Sequence, residues 1–415
     1  MAKRSIETEF VHAGERAPLP QGLPNSTPIF ANSTYSYESM EEAERVFTGD
    51  LKDYIYTRYG NPTVDSLQEA VRVLENGAVA RAYASGMAAL HAALLASDLA
   101  PGSVVLASRD LYGASFDLLF NVFGPFGVKT QLADFSDLDD LRARVAELKP
   151  RVLLGETISN PLLKVLDIAA VAEIAHSVGA KFIVDSTFAT PFLARPLDLG
   201  ADIVVHSATK YLGGSADAIG GIAVARDIAD EAALTSAMKL AGGILSVWEA
   251  HSISRGLRTL ALRLERQCSN AEKLAVELGK RHDIKLVHYP KFATDGVTEK
   301  VLREPFGGAL VSIVLADDTR EAAWRFMNAL ELIVRATTLG DVFTTVSHSA
   351  SSSHRELTEK RRNTLGITEG LVRISVGIES VEDLLADIDQ ALVSVSEPGT
   401  VVTGSTIGGD QGAAA

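Results

Sequence analysis

The chain has 415 residues, of which 47% are hydrophobic and 22% charged, and its formal net charge is -14 at pH 7. It is long enough to bury a large core and to form two or three domains. Because the acidic residues are spread along the chain, the charge argues against nucleic-acid binding and against an anionic membrane surface, and it favours a small-molecule partner.

Cysteine usage and the N-terminal region bear on the cellular compartment. Cys268 is the single cysteine, so no disulfide can form within the chain, and we expect it to be a small buried filler in a helix. Glu7 and Glu9 stand where a signal peptide needs an apolar run. The alanine-rich stretch Ala82–Ala100 suits a buried helix better than a bilayer span. We therefore expect a cytoplasmic protein without a membrane partner.

The first part of the chain predicts an extended arm followed by an α/β domain. Residues 1–62 are rich in proline, glycine and small polar residues, a mixture that favours an extended arm in need of another surface. From about Ala78, β-branched runs alternate with helical patterns. The predicted strands are Ser103–Ala107, Arg151–Gly155, Lys181–Asp185, Ile203–His206 and Gly221–Ala225, and the predicted helices include Leu138–Leu148 and Ile168–Val178. This alternation indicates a mainly parallel sheet with helices on both faces, over residues 63–258.

The second part of the chain predicts a smaller α/β domain over residues 259–395. A long helical region at Leu245–Leu278 leads into it. Its predicted strands are Gly308–Leu315 and Leu371–Val376, and its predicted helices are Arg320–Leu330 and Val381–Val393. Residues 396–415 are rich in glycine, threonine and alanine without periodicity, and we expect them to be a disordered tail.

A lysine directly follows one of the predicted buried strands. Lys210 lies in the segment Ile203–Gly214, after the strand and before a glycine pair. The carboxyl ends of parallel strands are where open α/β sheets bind ligands, and a lysine held away from water is easily deprotonated for use as a Schiff-base nucleophile. Ser207 and Thr209 would offer hydroxyl donors to a phosphate. A surface lysine in a glycine-rich loop explains this segment equally well.

A carboxylate ends the preceding predicted strand. Asp185 closes the apolar run Lys181–Asp185. Pyridoxal phosphate (PLP) works as an electron sink while its ring nitrogen is protonated, and a partly buried carboxylate keeps it so. An aspartate that caps the following turn is a common alternative. Because Asp185 and Lys210 end strands about one βαβ unit apart, together they indicate a shared ligand.

Four further features fit a bound PLP and an amino-acid substrate. The turn Ser85-Gly86-Met87 runs into a helix, whose free backbone N–H groups can bind a phosphate, although such turns are also frequent without a ligand. Tyr112 follows a strand and could stack on the pyridine ring of PLP. Asn160 could form a hydrogen bond with the phenolic oxygen of that ring. Arg373 is the lone charge in an apolar strand, where it could grip an α-carboxylate or form a structural salt bridge.

Five motifs together resemble the Cys/Met metabolism PLP-dependent enzyme family, the trans-sulfuration group. The motifs are Tyr56–Thr63, Ala84–Met87, Val184–Thr187, His206–Tyr211 and Gly370–Arg373. The resemblance runs in order from about His12 to Val393. It implies fold-type I, with an arm, a PLP domain and a C-terminal α/β domain. It also implies homotetramers built from catalytic dimers, in which Tyr56 and Arg58 reach the phosphate of the neighbouring subunit.

The resemblance also implies a role for each matching residue. Lys210 would be the Schiff-base lysine, Asp185 the partner of the ring nitrogen, and Tyr112 the stacking residue and proton handler. The residues implied to bind PLP are Tyr56, Arg58, Ser85, Gly86, Met87, Tyr112, Asn160, Asp185, Ser207, Thr209 and Lys210. Arg373 and Thr338 would face the substrate α-carboxylate, with Tyr56 and Tyr112 also contacting the substrate. The implied reaction is proton removal at Cα and Cβ followed by loss or replacement of a group on Cγ.

Three departures from the family pattern bear on the substrate. Thr337 stands where relatives that handle cystathionine often carry a glutamate, so a distal ammonium would lack a partner. Asp117 stands where many γ-synthases have an arginine, and we expect it to repel a succinyl carboxylate. Ala114 replaces the cysteine typical of methionine γ-lyases. The following stretch also departs from the family at Phe343 and Ser349.

The leading hypothesis is γ-elimination or γ-replacement on methionine or an O-acylhomoserine, a small sulfur-containing or O-acylated amino acid. The alternative is cystathionine γ-synthase or cystathionine γ-lyase. A nicotinamide dehydrogenase would need a Gly-x-Gly-x-x-Gly turn after an early strand, which the sequence lacks. His348 and His354 lack neighbours that would complete a metal ligand set, so we expect no metal.

Overall fold

The computed structural model describes residues 24–396, together with Ser5, Ile6, Thr8, Val11 and Gly22, and is built on two β-sheets. The predicted tail beyond residue 396 lies outside the described residues. Within the described part of the chain, no helix combines the length and the apolar composition that crossing a membrane requires.

The larger sheet has seven strands. They are β1 (Val79–Tyr83), β2 (Val104–Ser108), β3 (Lys129–Ala133), β4 (Val152–Glu156), β5 (Lys181–Asp185), β6 (Ile203–Ser207) and β7 (Gly221–Ala225). Their order is β1-β7-β6-β5-β4-β2-β3, and β7 is antiparallel to both of its neighbours while the other pairs are parallel. The prediction of a mainly parallel sheet is confirmed.

Apolar side chains of this sheet alternate between two cores, one on each face. Phe182 and Val184 of β5 belong to one core, and Ile183 between them belongs to the other. Helices cover both faces, which explains the continuous apolar runs that predicted the strands. Two strands were not predicted: β1 contains an arginine and alanines, and β3 is an edge strand with exposed positions.

Fourteen helices of α type lie within the described residues. They are α1 (Met40–Thr48), α2 (Pro62–Leu74), α3 (Gly86–Leu95), α4 (Gly113–Asp117), α5 (Leu138–Leu148), α6 (Ile168–His176), α7 (Thr190–Leu193), α8 (Glu231–Ala241), α9 (Val247–Leu257), α10 (Leu260–Leu278), α11 (Val297–Val301), α12 (Arg320–Ala329), α13 (Glu359–Leu365) and α14 (Val381–Ser396). A π-helical turn, Leu118–Phe123, continues α4.

One helical prediction needs correction, and another gains detail. Helix α1 interrupts the arm that was predicted to be extended, because Ser39 caps its first turn by accepting a hydrogen bond from the Glu42 amide and Gly49 ends it in the left-handed conformation. The long helical region predicted at Leu245–Leu278 is present as two helices, α9 and α10, which are separated at Arg258 and Thr259.

The smaller sheet has five strands and belongs to the C-terminal part of the chain. They are β8 (Ile284–His288), β9 (Leu310–Leu315), β10 (Val334–Arg335), β11 (Thr345–His348) and β12 (Leu371–Ser375), in the order β10-β11-β12-β9-β8. Only β9 and β12, two adjacent interior strands, were predicted. They are buried along their whole length, whereas β8 and β10 are partly exposed edge strands. The domain limits stay a prediction.

Helix α10 joins the cores of the two sheets. Its first half places Leu264 and Cys268 in a core of the larger sheet, and its second half places Leu274 and Leu278 in the core of the smaller sheet. Cys268 is a buried free thiol, and burial raises its pKa to about 12. It is therefore the helical filler that we expected. The shared helix sets the spacing of the two sheets.

The start of β7 should tolerate no side chain larger than hydrogen. A Cβ atom on Gly221 would lie 2.0 Å from the carbonyl oxygen of Ser85, which is a rigid backbone atom. We expect Gly221→Ala to lower the free energy of unfolding by about 1–3 kcal/mol or more, measured by urea denaturation. Gly243→Ala is the matched control, because its Cβ would meet Ala88 at an ordinary 3.4 Å. Equal stability of the two variants would contradict this packing.

Candidate active site

The carboxyl ends of β2, β4, β5 and β6 open into a cavity of about 560 Å³, which the smaller sheet closes from the other side. Of the residues selected from the sequence, those that line this cavity are Ser85, Gly86, Met87, Tyr112, Asn160, Asp185, Ser207, Thr209, Lys210 and Arg373. The structure thus brings together ten of the thirteen candidates, from segments up to 288 residues apart in the chain (Ser85 to Arg373).

Lys210 lies three residues beyond the end of β6 and is half-buried. Its Nζ atom donates a hydrogen bond to Oγ1 of Thr338, at 3.1 Å. Burial lowers the pKa of Lys210, the charge of Arg373 lowers it further, and Asp341 opposes both effects. This lysine is therefore more easily deprotonated than a surface lysine, as a nucleophile or base must be.

Asp185 is the last residue of β5 and lies beside β6 in the same sheet. Its Oδ1 atom accepts a hydrogen bond from the Thr187 amide at 2.9 Å, so it does cap the following turn. It also lines the cavity. Burial raises the pKa of Asp185, although hydrogen bonds from Thr187 and the charge of His206 hold it down. The two interpretations of this aspartate are compatible, since one carboxylate can serve both roles.

The start of α3 packs against the end of β6. Ser85 caps the helix by accepting a hydrogen bond from the Ala88 amide at 3.1 Å. A Cβ atom on Gly86 would lie 2.7 Å from Cβ of Ser207, so only glycine allows this approach. The Gly86 and Met87 amides have no acceptor within the described residues. Such amides at a helix N-terminus attract phosphate.

Arg373 lies on β12 and is only 5% exposed. Its Nη1 donates to Oδ1 of Asn160 at 2.8 Å, and its Nη2 donates to the carbonyl oxygen of Thr338 at 3.1 Å. Burial lowers its pKa to about 10, so it keeps its positive charge at neutral pH. The guanidinium is therefore a fixed cation that faces the same cavity as Lys210.

Tyr112 begins the short helix α4 after β2, and its side chain is 43% exposed at the cavity. Its backbone amide donates a hydrogen bond to Oε1 of Glu156, at 2.6 Å. The next residue, Gly113, packs so closely that its Cβ would lie 2.4 Å from the carbonyl oxygen of Ser353. The backbone around Tyr112 is thus held between the larger sheet and the segment that follows β11.

Tyr56 and Arg58 do not reach the cavity of their own chain. The Arg58 guanidinium lies 5.5 Å from the ring centre of Tyr56 and 4.8 Å from that of Tyr59. Its Nη1 donates to the Lys239 carbonyl oxygen at 3.0 Å. A role for either residue at a cofactor would need the cavity of another subunit, so that role stays a prediction.

Several lining residues escaped the sequence reasoning. They are Glu156, Ile158, Phe188, Leu339, Ser347, Ser351, Ser352, Ser353 and Arg355. Glu156 had a usable signal, since it directly follows the predicted strand Arg151–Gly155, which lies next to the strand of Asp185. The segment from Ser351 to Arg355 is irregular, so no periodicity marks it.

The departures from the family pattern fall partly outside the cavity. Thr337 lines it, but Ala114 and Asp117 do not. Asp117 is exposed and accepts a hydrogen bond from Nδ2 of Asn121 at 3.2 Å. The Asp117 side chain does not line the cavity. This geometry therefore gives no support to the expectation that Asp117 repels a succinyl carboxylate.

The two histidines that we set aside as metal ligands have other partners. His348 contacts Oγ of Ser351 and the Glu369 carbonyl oxygen, each at 2.8 Å, and Nδ1 of His354 contacts Oγ of Ser353 at 2.9 Å. Burial lowers the pKa of His354 to about 4. Within residues 24–396, no three His, Cys, Asp or Glu side chains group as metal ligands would.

Comparison with known proteins places the chain among PLP enzymes. The family model of Cys/Met metabolism PLP-dependent enzymes matches residues 7–393. The L-methionine gamma-lyase of Pseudomonas putida is 39% identical over 93% of this chain and 96% of its own length. The cystathionine beta-lyase of Lactococcus lactis subsp. cremoris is 38% identical over 94% and 99%. The crystal structure of cystathionine gamma synthase from Xanthomonas oryzae pv. oryzae matches with a TM-score of 0.83 and 36% identity, over 89% of this chain and 93% of that chain.

The residues of the cavity fit pyridoxal phosphate. A phosphate finds two free helix amides at Gly86 and Met87, beside the hydroxyl of Ser207. A ring nitrogen needs a buried carboxylate, which Asp185 supplies. An aldehyde needs an amine with a lowered pKa, which Lys210 supplies. The donor set therefore matches each end of the cofactor.

The charge of Arg373 should lower the pKa of Lys210. Because the guanidinium is one of the causes that lower the pKa of Lys210, Arg373→Gln should raise that pKa. The pH dependence of Lys210 acylation in the cofactor-free protein, followed by mass spectrometry, measures the change. Lys149 is exposed and serves as the internal reference in the same sample. An unchanged midpoint for Lys210 relative to Lys149 would contradict the coupling.

Proposed function

Because the chain belongs to the Cys/Met metabolism PLP-dependent enzyme family, we propose that it catalyses γ-elimination or γ-replacement on methionine or an O-acylhomoserine. The observation that carries this proposal is the placement of Lys210, Asp185 and Arg373 in one cavity. An amine with a lowered pKa lies there beside a fixed cation suited to a carboxylate. This is the arrangement that proton removal from an amino acid requires.

Separate groups of residues would hold the ring and the phosphate of the cofactor. Bound PLP supplies an electron sink that makes the protons near the amino-bearing carbon removable. The Asp185 carboxylate keeps the ring nitrogen protonated, and the Tyr112 ring covers the pyridine face. The groups that hold the phosphate are the Gly86 and Met87 amides with Ser207 and Thr209, and Ser85 fixes the helix start.

The substrate would be oriented by Arg373 and deprotonated by Lys210. The Arg373 guanidinium binds the α-carboxylate, and its bonds to Asn160 and Thr338 keep it in place. Oδ1 of Asn160 is taken by this contact, so its amide Nδ2 is the group left to donate to the cofactor. Lys210 would remove the Cα and Cβ protons through Nζ, which the hydrogen bond to Oγ1 of Thr338 at 3.1 Å holds in position.

The residues at the distal end favour a substrate without a distal ammonium. Thr337 lines the cavity and carries no charge that could pair with the second amino group of cystathionine. The L-methionine gamma-lyase relative supports methionine as a substrate class. Cystathionine γ-synthase or cystathionine γ-lyase activity is the alternative, supported by the cystathionine gamma synthase structure.

The proposed assembly is a cytoplasmic homotetramer made of two catalytic dimers. It is supported by the family resemblance and by the positions of Tyr56 and Arg58, which lie outside their own cavity. In such an assembly these two side chains would complete the phosphate and substrate sites of a second copy.

Product analysis across candidate substrates tests the proposal. We expect turnover of methionine or O-acetylhomoserine, with a thioether product when a thiol is added to the ester, measured by mass spectrometry. The Lys210→Ala variant is the blank, because it lacks the proposed base and should lose the visible absorbance of bound cofactor. High turnover of cystathionine with none of methionine or O-acetylhomoserine would favour the alternative.

Arg355 should discriminate between acyl esters. It lines the cavity together with Ser351, Ser352 and Ser353, whereas Asp117 does not. We expect Arg355→Ala to lower kcat/KM about three- to fivefold for O-succinylhomoserine and not for O-acetylhomoserine, the size of a partly exposed ion pair. Arg361→Ala is the control, because Arg361 lies over the Phe116 ring at 5.8 Å and does not line the cavity. Equal losses on both esters would contradict this role.

A further inference from the structure

A second carboxylate, Glu156, lies beside the proposed ring-nitrogen partner. Glu156 ends β4, Asp185 ends β5, and the two residues are direct partners in the parallel register. Partner residues on neighbouring parallel strands lie about 5 Å apart and point to the same face. Both side chains line the cavity. Neither forms an ion pair with a lysine or arginine among the described residues.

Glu156 also holds the backbone of the proposed stacking residue. Its Oε1 atom accepts the Tyr112 amide at 2.6 Å, and Tyr112 is the residue from which α4 starts. The start of α4 has no side-chain cap of its own. Glu156 is thus the group that connects the Tyr112 backbone to the strand next to Asp185.

The charges around Glu156 favour its neutral form. Burial raises its pKa well above the usual range, and the charges of Asp185 and Asp110 raise it further. A small cavity behind Glu156 contributes Asp110, Lys164, Asp167 and Asp295, and the main cavity contributes Asp185, Lys210, Arg355 and Arg373. Lys164 is paired with Asp110 at 3.3 Å, so it offers Glu156 little compensation. Both residues accept two hydrogen bonds, Asp185 from Thr187 and Glu156 from the Tyr112 and Asn160 amides, but only Asp185 also has the charge of His206 to favour its anion.

We propose that Glu156 is a positioning residue, which stays protonated beside Asp185, fixes the Tyr112 backbone, and leaves Asp185 as the single anion at the ring end of the cavity. Two adjacent carboxyl groups without a paired cation share one proton, and Glu156 keeps it because Asp110 lines the small cavity with it, whereas the charge of His206 favours the anion of Asp185. This inference rests on the proposed function for its meaning in catalysis. The protonation state itself is independent of which substrate the enzyme uses.

Substitution of Glu156 by glutamine should preserve the role of the neutral acid, whereas substitution by leucine should not. In the PLP-loaded enzyme, Glu156→Gln keeps an acceptor for the Tyr112 amide and changes no charge. We expect it to keep the cofactor Kd within about twofold of wild type and the pH midpoint of the visible absorbance unchanged. Glu156→Leu removes the acceptor, and we expect kcat to fall by at least about tenfold, the scale of a misplaced active-site group. Glu147→Gln, an exposed glutamate on α5, is the matched control.

Thermal stability gives a readout that needs no turnover. A carboxyl group whose pKa is higher in the folded than in the unfolded protein loses stability as the pH rises above its unfolded pKa of about 4.3. The Glu156→Gln variant should not show this loss of stability, because glutamine does not ionise. The Tm of Glu156→Gln relative to wild type should therefore increase between pH 5 and pH 8, and the Tm of Glu147→Gln should not.

Three results would overturn the inference. A clear shift of the absorbance midpoint in Glu156→Gln, or a Tm difference that does not grow with pH, would show that wild-type Glu156 is ionised. Equal kcat in the glutamine and leucine variants would show that it does not position Tyr112. If no substrate of the product analysis is turned over, the proposed function fails, while the absorbance and Tm comparisons still decide the protonation of Glu156.

Discussion

The buried guanidinium of Arg373 is the constraint on which the site depends. It stays charged at neutral pH, and a buried charge is tolerated only where acceptors surround it. The two acceptors belong to different sheets. Asn160 follows a strand of the larger sheet, and Thr338 precedes a strand of the smaller sheet. The hydroxyl of Ser312 adds a parallel connection by donating to the Pro161 carbonyl oxygen at 2.7 Å. The need to satisfy one cation thus holds the two sheets together around the cavity.

The same cation sets the electrostatics of the cavity. Its charge lowers the pKa of Lys210 from one side, while the carboxylates of Asp185 and Glu156 lie at the ends of β5 and β4. The Arg373 guanidinium, which suits a substrate carboxylate, is thereby separated from the Asp185 carboxylate, which suits a ring nitrogen. Lys210 lies in the same cavity as both, and Thr338 connects it with the cation, since its hydroxyl accepts from Lys210 and its carbonyl from Arg373. One polarised cavity can therefore orient both a cofactor and an amino acid.

The sequence predicted the parts of this site that depend on parallel topology. Strands β5 and β6 are apolar along their length, so their ends were visible, and a parallel sheet brings such ends to one edge. Asp185 and Lys210 were found in this way. Tyr56 and Arg58 could only be assigned by resemblance, because nothing in their local pattern says which cavity they serve. The edge strand β3 and the helix α1 were missed because mixed polarity and local capping, not apolar periodicity, determine them.

The residues that sequence reasoning missed act through neighbours that are distant in the chain. Glu156 looks like an ordinary strand end until the register places it against Asp185, 29 residues later (185 - 156). The segment from Ser351 to Arg355 has no periodicity, and its position over Tyr112 follows from the absence of a side chain at Gly113. The groups shared by all substrates, at the strand ends, were therefore predictable from local sequence. The groups that we propose to contact the distal part of the substrate lie on an irregular segment of the cavity lining, so the sequence alone does not display which side chains tertiary packing brings there.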